Sequence, residues 1–104
     1  MSDRPIIVTK HAIEVYRRRM NDNRPYPVVM KEIERCVAAG LEAGLVFRRR
    51  PPGFVLYRRK TAEMPPGQRF VQCHSDADYG FILKRKTDEG DVVVTMVTRA
   101  GVRW

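Results

Sequence analysis

The side chains here that could move a proton are His11, Glu14, Glu63 and His74, with Tyr16, Tyr57 and Tyr79 as phenolic alternatives. No nucleophile elbow, P-loop or paired-carboxylate motif accompanies them. Cys36 and Cys73 stand 37 residues apart without a Cys-x-x-Cys pair. A structural zinc site needs well-spaced Cys and His ligands, so neither a metal nor a cofactor is expected. Free thiols are the simplest reading, although spacing alone leaves a disulfide open. The chemistry that suits these groups is metal-free RNA cleavage. The RNA brings its own nucleophile, the 2′-hydroxyl. The protein supplies a base for that proton, an acid for the leaving 5′-oxygen, and cations for the charge developing on the phosphate.

His11 is the first candidate for the acid or base. With Glu14 and Arg18 it falls at i, i+3 and i+7, away from the apolar stripe of its segment. His74 is the second, at the end of a strand before an acidic, turn-rich stretch. Cations are abundant. Lys and Arg total 20 against 12 acids, a formal charge of +8, and 15 of the 20 are Arg. Arg grips phosphate through two parallel N–H donors and stacks on bases. The bases come in triplets: Arg17-Arg18-Arg19, Arg48-Arg49-Arg50, Arg58-Arg59-Lys60 and Lys84-Arg85-Lys86. Between Gly44 and Ser75 stand seven bases and one acid, Glu63. Such an excess calls for a polyanionic partner, and RNA is the expected one. Arg17, Arg18, Arg48, Arg49, Arg50, Arg58, Arg59, Lys84, Arg85 and Arg99 are the candidate contacts.

These residues must be held by a small scaffold. The 104 residues suit one domain, expected over 1–104. Thr9 is a plausible N-cap for a helix over about 9–20, with Ala12, Ile13, Tyr16 and Met20 on its core face. A second helix is expected over about 27–40, with Val29, Ile33, Cys36 and Val37 inward and Gly40 as its C-cap. After Gly44 the period falls to two. Short apolar runs at 45–47, 53–57, 70–73, 81–83 and 92–97 read as strands, and the turn at 87–91 reads as a hairpin. Val92–Val97 is apolar on both faces, which predicts a central strand. The expected fold is α+β: two N-terminal helices packed on a four- to five-stranded antiparallel sheet. No apolar run of about 18 residues could span a membrane, and Met1–Pro5 lacks a signal-peptide core, so a cytoplasmic location and no membrane partner are expected.

The stretch Ile7-Val8-Thr9-Lys10-His11-Ala12, then Tyr16–Arg19, a second helix and the late string Val92-Val93-Val94-Thr95, resembles the small bacterial and phage proteins of the RelE/ParE-like toxin superfamily. The nearest subgroup is a poorly characterised one with a Ser/Thr-x-His-Ala start. That subgroup commonly carries Arg four residues after the His, where this chain has Val15. The resemblance implies a barnase/colicin/RelE-like sheet and a metal-independent endoribonuclease toxin of a toxin–antitoxin pair, opposed by an acidic antitoxin. It favours His11, Arg19 and Thr95 as site residues. A rival reading is a non-catalytic phage or mobile-element protein that binds and inhibits a host protein.

Overall fold

A computed structural model of the chain describes residues 5–48, 66–75, 77–86 and 90–98. The expected strand at 53–57 lies outside these residues, as do Arg49, Arg50, Arg58, Arg59 and Arg99.

Helix α1 spans Lys10–Arg19 and begins where the sequence predicts it. The Thr9 hydroxyl accepts from the Ala12 N–H and donates to the Val93 carbonyl, so one side chain caps the helix and pins it to the sheet. Ala12, Ile13, Val15 and Tyr16 are buried on its inner face. The helix stops at Asn21, which takes a left-handed turn (φ 51°), and the Asp22 N–H closes back on the Arg17 carbonyl.

Helix α2 spans Tyr26–Glu42. Gly40 is not its C-cap. Ala43 holds that role and Gly44 follows it in the left-handed conformation (φ 75°), while the Leu45 N–H bonds the Gly40 carbonyl and the Gly44 N–H bonds that of Leu41. Gly40 is glycine for another reason. A Cβ there would collide with the Gln72 carbonyl oxygen and come within 2.7 Å of Val71 Cγ1. The helix is therefore seated backbone-close on the sheet.

The sheet has five strands: β1 (Ile6–Val8), β2 (Val46–Phe47), β3 (Gln68–Val71), β4 (Tyr79–Lys86) and β5 (Gly90–Thr98), in the order β1-β5-β4-β3-β2. β2 to β5 form the expected antiparallel meander. The all-antiparallel expectation is corrected by β1, which precedes both helices and runs parallel to β5. Three residues give no readable alternation. The strand exists because Ile6–Val8 find β5 alongside, a tertiary effect. β5 thus lies between β1 and β4, an interior position as its two-faced apolar string predicts. A register shift makes Val94 the extra residue between the Leu83–Val93 and Ile82–Thr95 pairs. Val93 and Met96 join the core under the helices with Val71, Phe81 and Leu83. Val97 joins a second cluster with Phe70 and Ile82 on the opposite face.

Candidate functional site

Helix α1 carries the first group of candidates. Its inner face is committed to the core, so residues 11, 14 and 18 must lie outward. His11, Glu14 and Arg18 are all exposed. Val15, which stands where the resemblance would place an arginine, is 6% exposed and packs in the core. The side chain at that position makes a packing contact.

Beyond Glu14 the helix end and the following turn enclose a cleft of about 410 Å³ lined by Glu14, Arg17, Arg18, Asn21, Asp22 and Asn23. Tyr26, the first residue of α2, holds two of these lining residues. Its hydroxyl donates to Glu14 Oε1 at 3.1 Å, and the Arg17 guanidinium lies 4.9 Å above its ring. Among the described residues, the buried Arg17 Nε has no hydrogen-bond partner. Asp22 and Arg24 form an ion pair with contacts of 2.6–3.0 Å. That pair holds the Asp22 carboxyl down to about 2. Asp22 stays anionic through the physiological range, and its charge is answered by Arg24. Arg17 and Arg18 are left as the cleft's cations towards an incoming anion.

Arg19 leaves this group. It points towards the end of β5, where Nη1 reaches Thr98 Oγ1 at 3.5 Å. His74 sits exposed in the connection between β3 and β4, its carbonyl accepting from the Ala77 N–H. Thr98 pairs with Tyr79, the first residue of β4, so Arg19 and His74 belong to the same end of the sheet. His11 does not. It follows Thr9, which bonds halfway along β5, and β4 separates β5 from β3, the strand that leads into His74 at its far end. The two histidines are on different parts of the molecule. Thr95 is paired with Ile82 on the face turned away from the helices, apart from the α1 residues.

The second basic group gathers at the opposite end of the sheet. Lys84 pairs with Gln68, Arg69 with Leu83 and Arg85 with Asp91. Arg48, one residue past the Phe47–Phe70 pair, falls level with Arg69. Arg48, Lys84 and Arg85 are exposed. Alternation sends Lys84 to the face bearing Ile82 and Arg85 to the helix side. Arg48, Lys84 and Arg85 therefore surround the sheet end instead of lining one face.

Tyr79 has no free ring for a base. It packs edge-on against Phe81 at 5.9 Å and Tyr16 at 6.3 Å. Tyr26 is the residue that sequence reasoning missed. Its place beside Glu14 and Arg17 is set by the turn over 20–25, and no spacing rule encodes that geometry. Among the described residues, no group of three or more His, Cys, Asp or Glu side chains converges as a metal site. No helix among them is long and apolar enough to cross a membrane. No protein-family model, no curated protein and no solved structure matches the chain.

Proposed function

We propose that this chain is a basic RNA-interacting domain of the RelE-like kind, a toxin that cleaves RNA without a metal. The observation that carries the proposal is the distribution of cations. Arg48, Lys84 and Arg85 stand exposed around one end of the sheet, and Arg17 and Arg18 flank the α1 cleft. Arg24 and Arg35, by contrast, are held by Asp22 and Glu32. Two sets of cations, exposed except for the half-buried Arg17, suit a polyanion that lies along the surface of a chain of net charge +8. The resemblance in the Thr9–Ala12 and Val92–Thr95 strings favours RNA within that class.

In the cleavage step, His11 takes or returns the proton and Arg18, on the same helical line, meets the phosphate. Glu14 is a positioning group, since its carboxylate is engaged by Tyr26. His74 with Arg19 is the alternative pair at the other end of the sheet. The test is RNA cleavage in EDTA with analysis of the product ends. The proposal expects 2′,3′-cyclic phosphate or 3′-phosphate ends and intact DNA. His11→Ala should slow cleavage by about 10²-fold or more. Loss at His74→Ala with His11→Ala silent would move the reaction to the strand ends.

One observation favours a second reading. His11 and His74 are not brought together, so no acid–base pair of histidines exists. A non-catalytic protein that binds and inhibits a host protein through the same cations fits that separation. Folded protein that leaves every RNA intact would select it.

A further inference from the structure

Cys36 and Cys73 belong to one core cluster, where nothing in the RNA reading uses them. Cys36 lies on the stripe that α2 turns towards the sheet, between Ile33 and Gly40, and is 8% exposed. Cys73 packs against the same core cluster from the segment that leaves β3, and it is only half-buried. The approach of these elements is fixed by Gly40. One helical turn beyond Cys36, the α2 backbone rests against Val71 and the Gln72 carbonyl, and Gln72 is the neighbour of Cys73. The thiols also sense each other. Burial first, and then Cys73, push the Cys36 thiol up to about 11, and the Tyr79 hydroxyl interacts with both sulfurs.

We propose that Cys36 and Cys73 form a reversible intramolecular disulfide by exchange with a small-molecule disulfide such as oxidised glutathione. The half-buried Cys73 is the sulfur a tripeptide can reach. Its thiolate attacks one sulfur of glutathione disulfide, the glutathione S–S bond breaks, and one glutathione thiolate leaves. The Cys36 thiolate then attacks Cys73 Sγ and expels the second glutathione. The cysteine pair loses two electrons and two protons, and glutathione disulfide gains them as two thiols. The high pKa of Cys36 keeps its thiolate scarce, so the second exchange is the slower one. The bond ties α2 to the connection that carries His74, and redox state thereby acts on the sheet end where Arg19 and His74 lie.

The experiment treats the folded, full-length protein with oxidised glutathione, blocks remaining thiols with N-ethylmaleimide under denaturing conditions, and maps non-reduced peptides by mass spectrometry. The expected product is a monomer lacking both thiol hydrogens, carrying no maleimide, with the Cys36 and Cys73 peptides joined. A reductant should restore both alkylation sites in full. Cys36→Ser should arrest the reaction with glutathione on Cys73, and Cys73→Ser should leave Cys36 alkylated only by the maleimide. The cross-linked monomer should melt at a higher temperature than the reduced one, because the closed loop restricts the unfolded chain. Two maleimides on the treated wild type, or stable glutathione on Cys73 despite an intact Cys36, would each overturn the proposal.

Discussion

Replacing Gly40 with alanine sets two effects of opposite sign against each other. In an exposed helix interior the change would stabilise by about 0.8–1.0 kcal/mol, since glycine has more backbone freedom to lose. Here the added methyl meets the Gln72 carbonyl oxygen and Val71 Cγ1. The carbonyl cannot swing aside as a side-chain tip could, because Gln72 is held by its N–H bond to the Leu45 carbonyl. Overfilling a packed contact costs about 1–3 kcal/mol, and an unyielding backbone atom places this case at the upper end. The net expectation is a loss of about 1–2 kcal/mol. For a domain of this size that lowers the melting midpoint by about 4–16 °C. Urea and thermal unfolding followed by circular dichroism would measure it. Gly44→Ala is the control for backbone strain, since nothing lies within 4 Å of its Cβ and only φ 75° opposes it. It should cost about 1–2 kcal/mol without any packing contribution. Ala39→Gly, on the exposed side of α2, should lose about 0.5–1 kcal/mol. A Gly40→Ala protein as stable as its parent would show that α2 is not seated on β3, and with that the Cys36–Cys73 juxtaposition would fall.

Thr9→Ala removes both the cap on Ala12 and the bond to the Val93 carbonyl, and should cost about 1–2 kcal/mol by urea unfolding. Alkaline pH should weaken the fold in a defined window. The Cys36 thiol is raised from near 9 to about 11, so the unfolded chain ionises first. Its contribution is complete below pH 9 and declines as pH rises towards 11, with a slope of at most about 1.4 kcal/mol per pH unit. Cys36→Ala should flatten that stretch of the stability profile, and an unchanged profile would contradict the assignment. Tyr16, raised to about 12 mainly by burial, should extend the decline beyond pH 10 in both proteins.

Much of the fold was legible because local signals agreed with tertiary demands. Thr9 and the spacing of Ala12, Ile13 and Tyr16 specify α1, and the double-sided apolar string Val92–Val97 specifies an interior strand. The failures have one physical cause. β1 is a strand only because β5 lies beside it, and Gly40 is glycine because β3 presses on it. Neither pressure is local. The bulge at Val94 likewise puts Val93 and Met96, three residues apart, on one face, which strict alternation does not foretell. For the site, the helical line His11, Glu14 and Arg18 is readable from spacing, while the contacts of Tyr26 to Glu14 and Arg17 depend on how the turn at 20–25 folds back. The triplet Lys84-Arg85-Lys86 was legible as a charge cluster. Its meeting with Arg48 and Arg69 required the strand registers.

The central claim is that a localised cationic surface, and not net charge alone, engages RNA. Fluorescence anisotropy with a labelled single-stranded RNA over a salt series tests it most directly. The sheet-end variant Arg48→Glu, Lys84→Glu, Arg85→Glu is compared with an equal charge change elsewhere, Lys10→Glu, Lys31→Glu, Arg35→Glu. The account predicts that the sheet-end variant loses at least about ten-fold more affinity and that its salt slope shrinks by about 0.7 for each phosphate contact removed. Equal losses of affinity and slope from the two variants would contradict it.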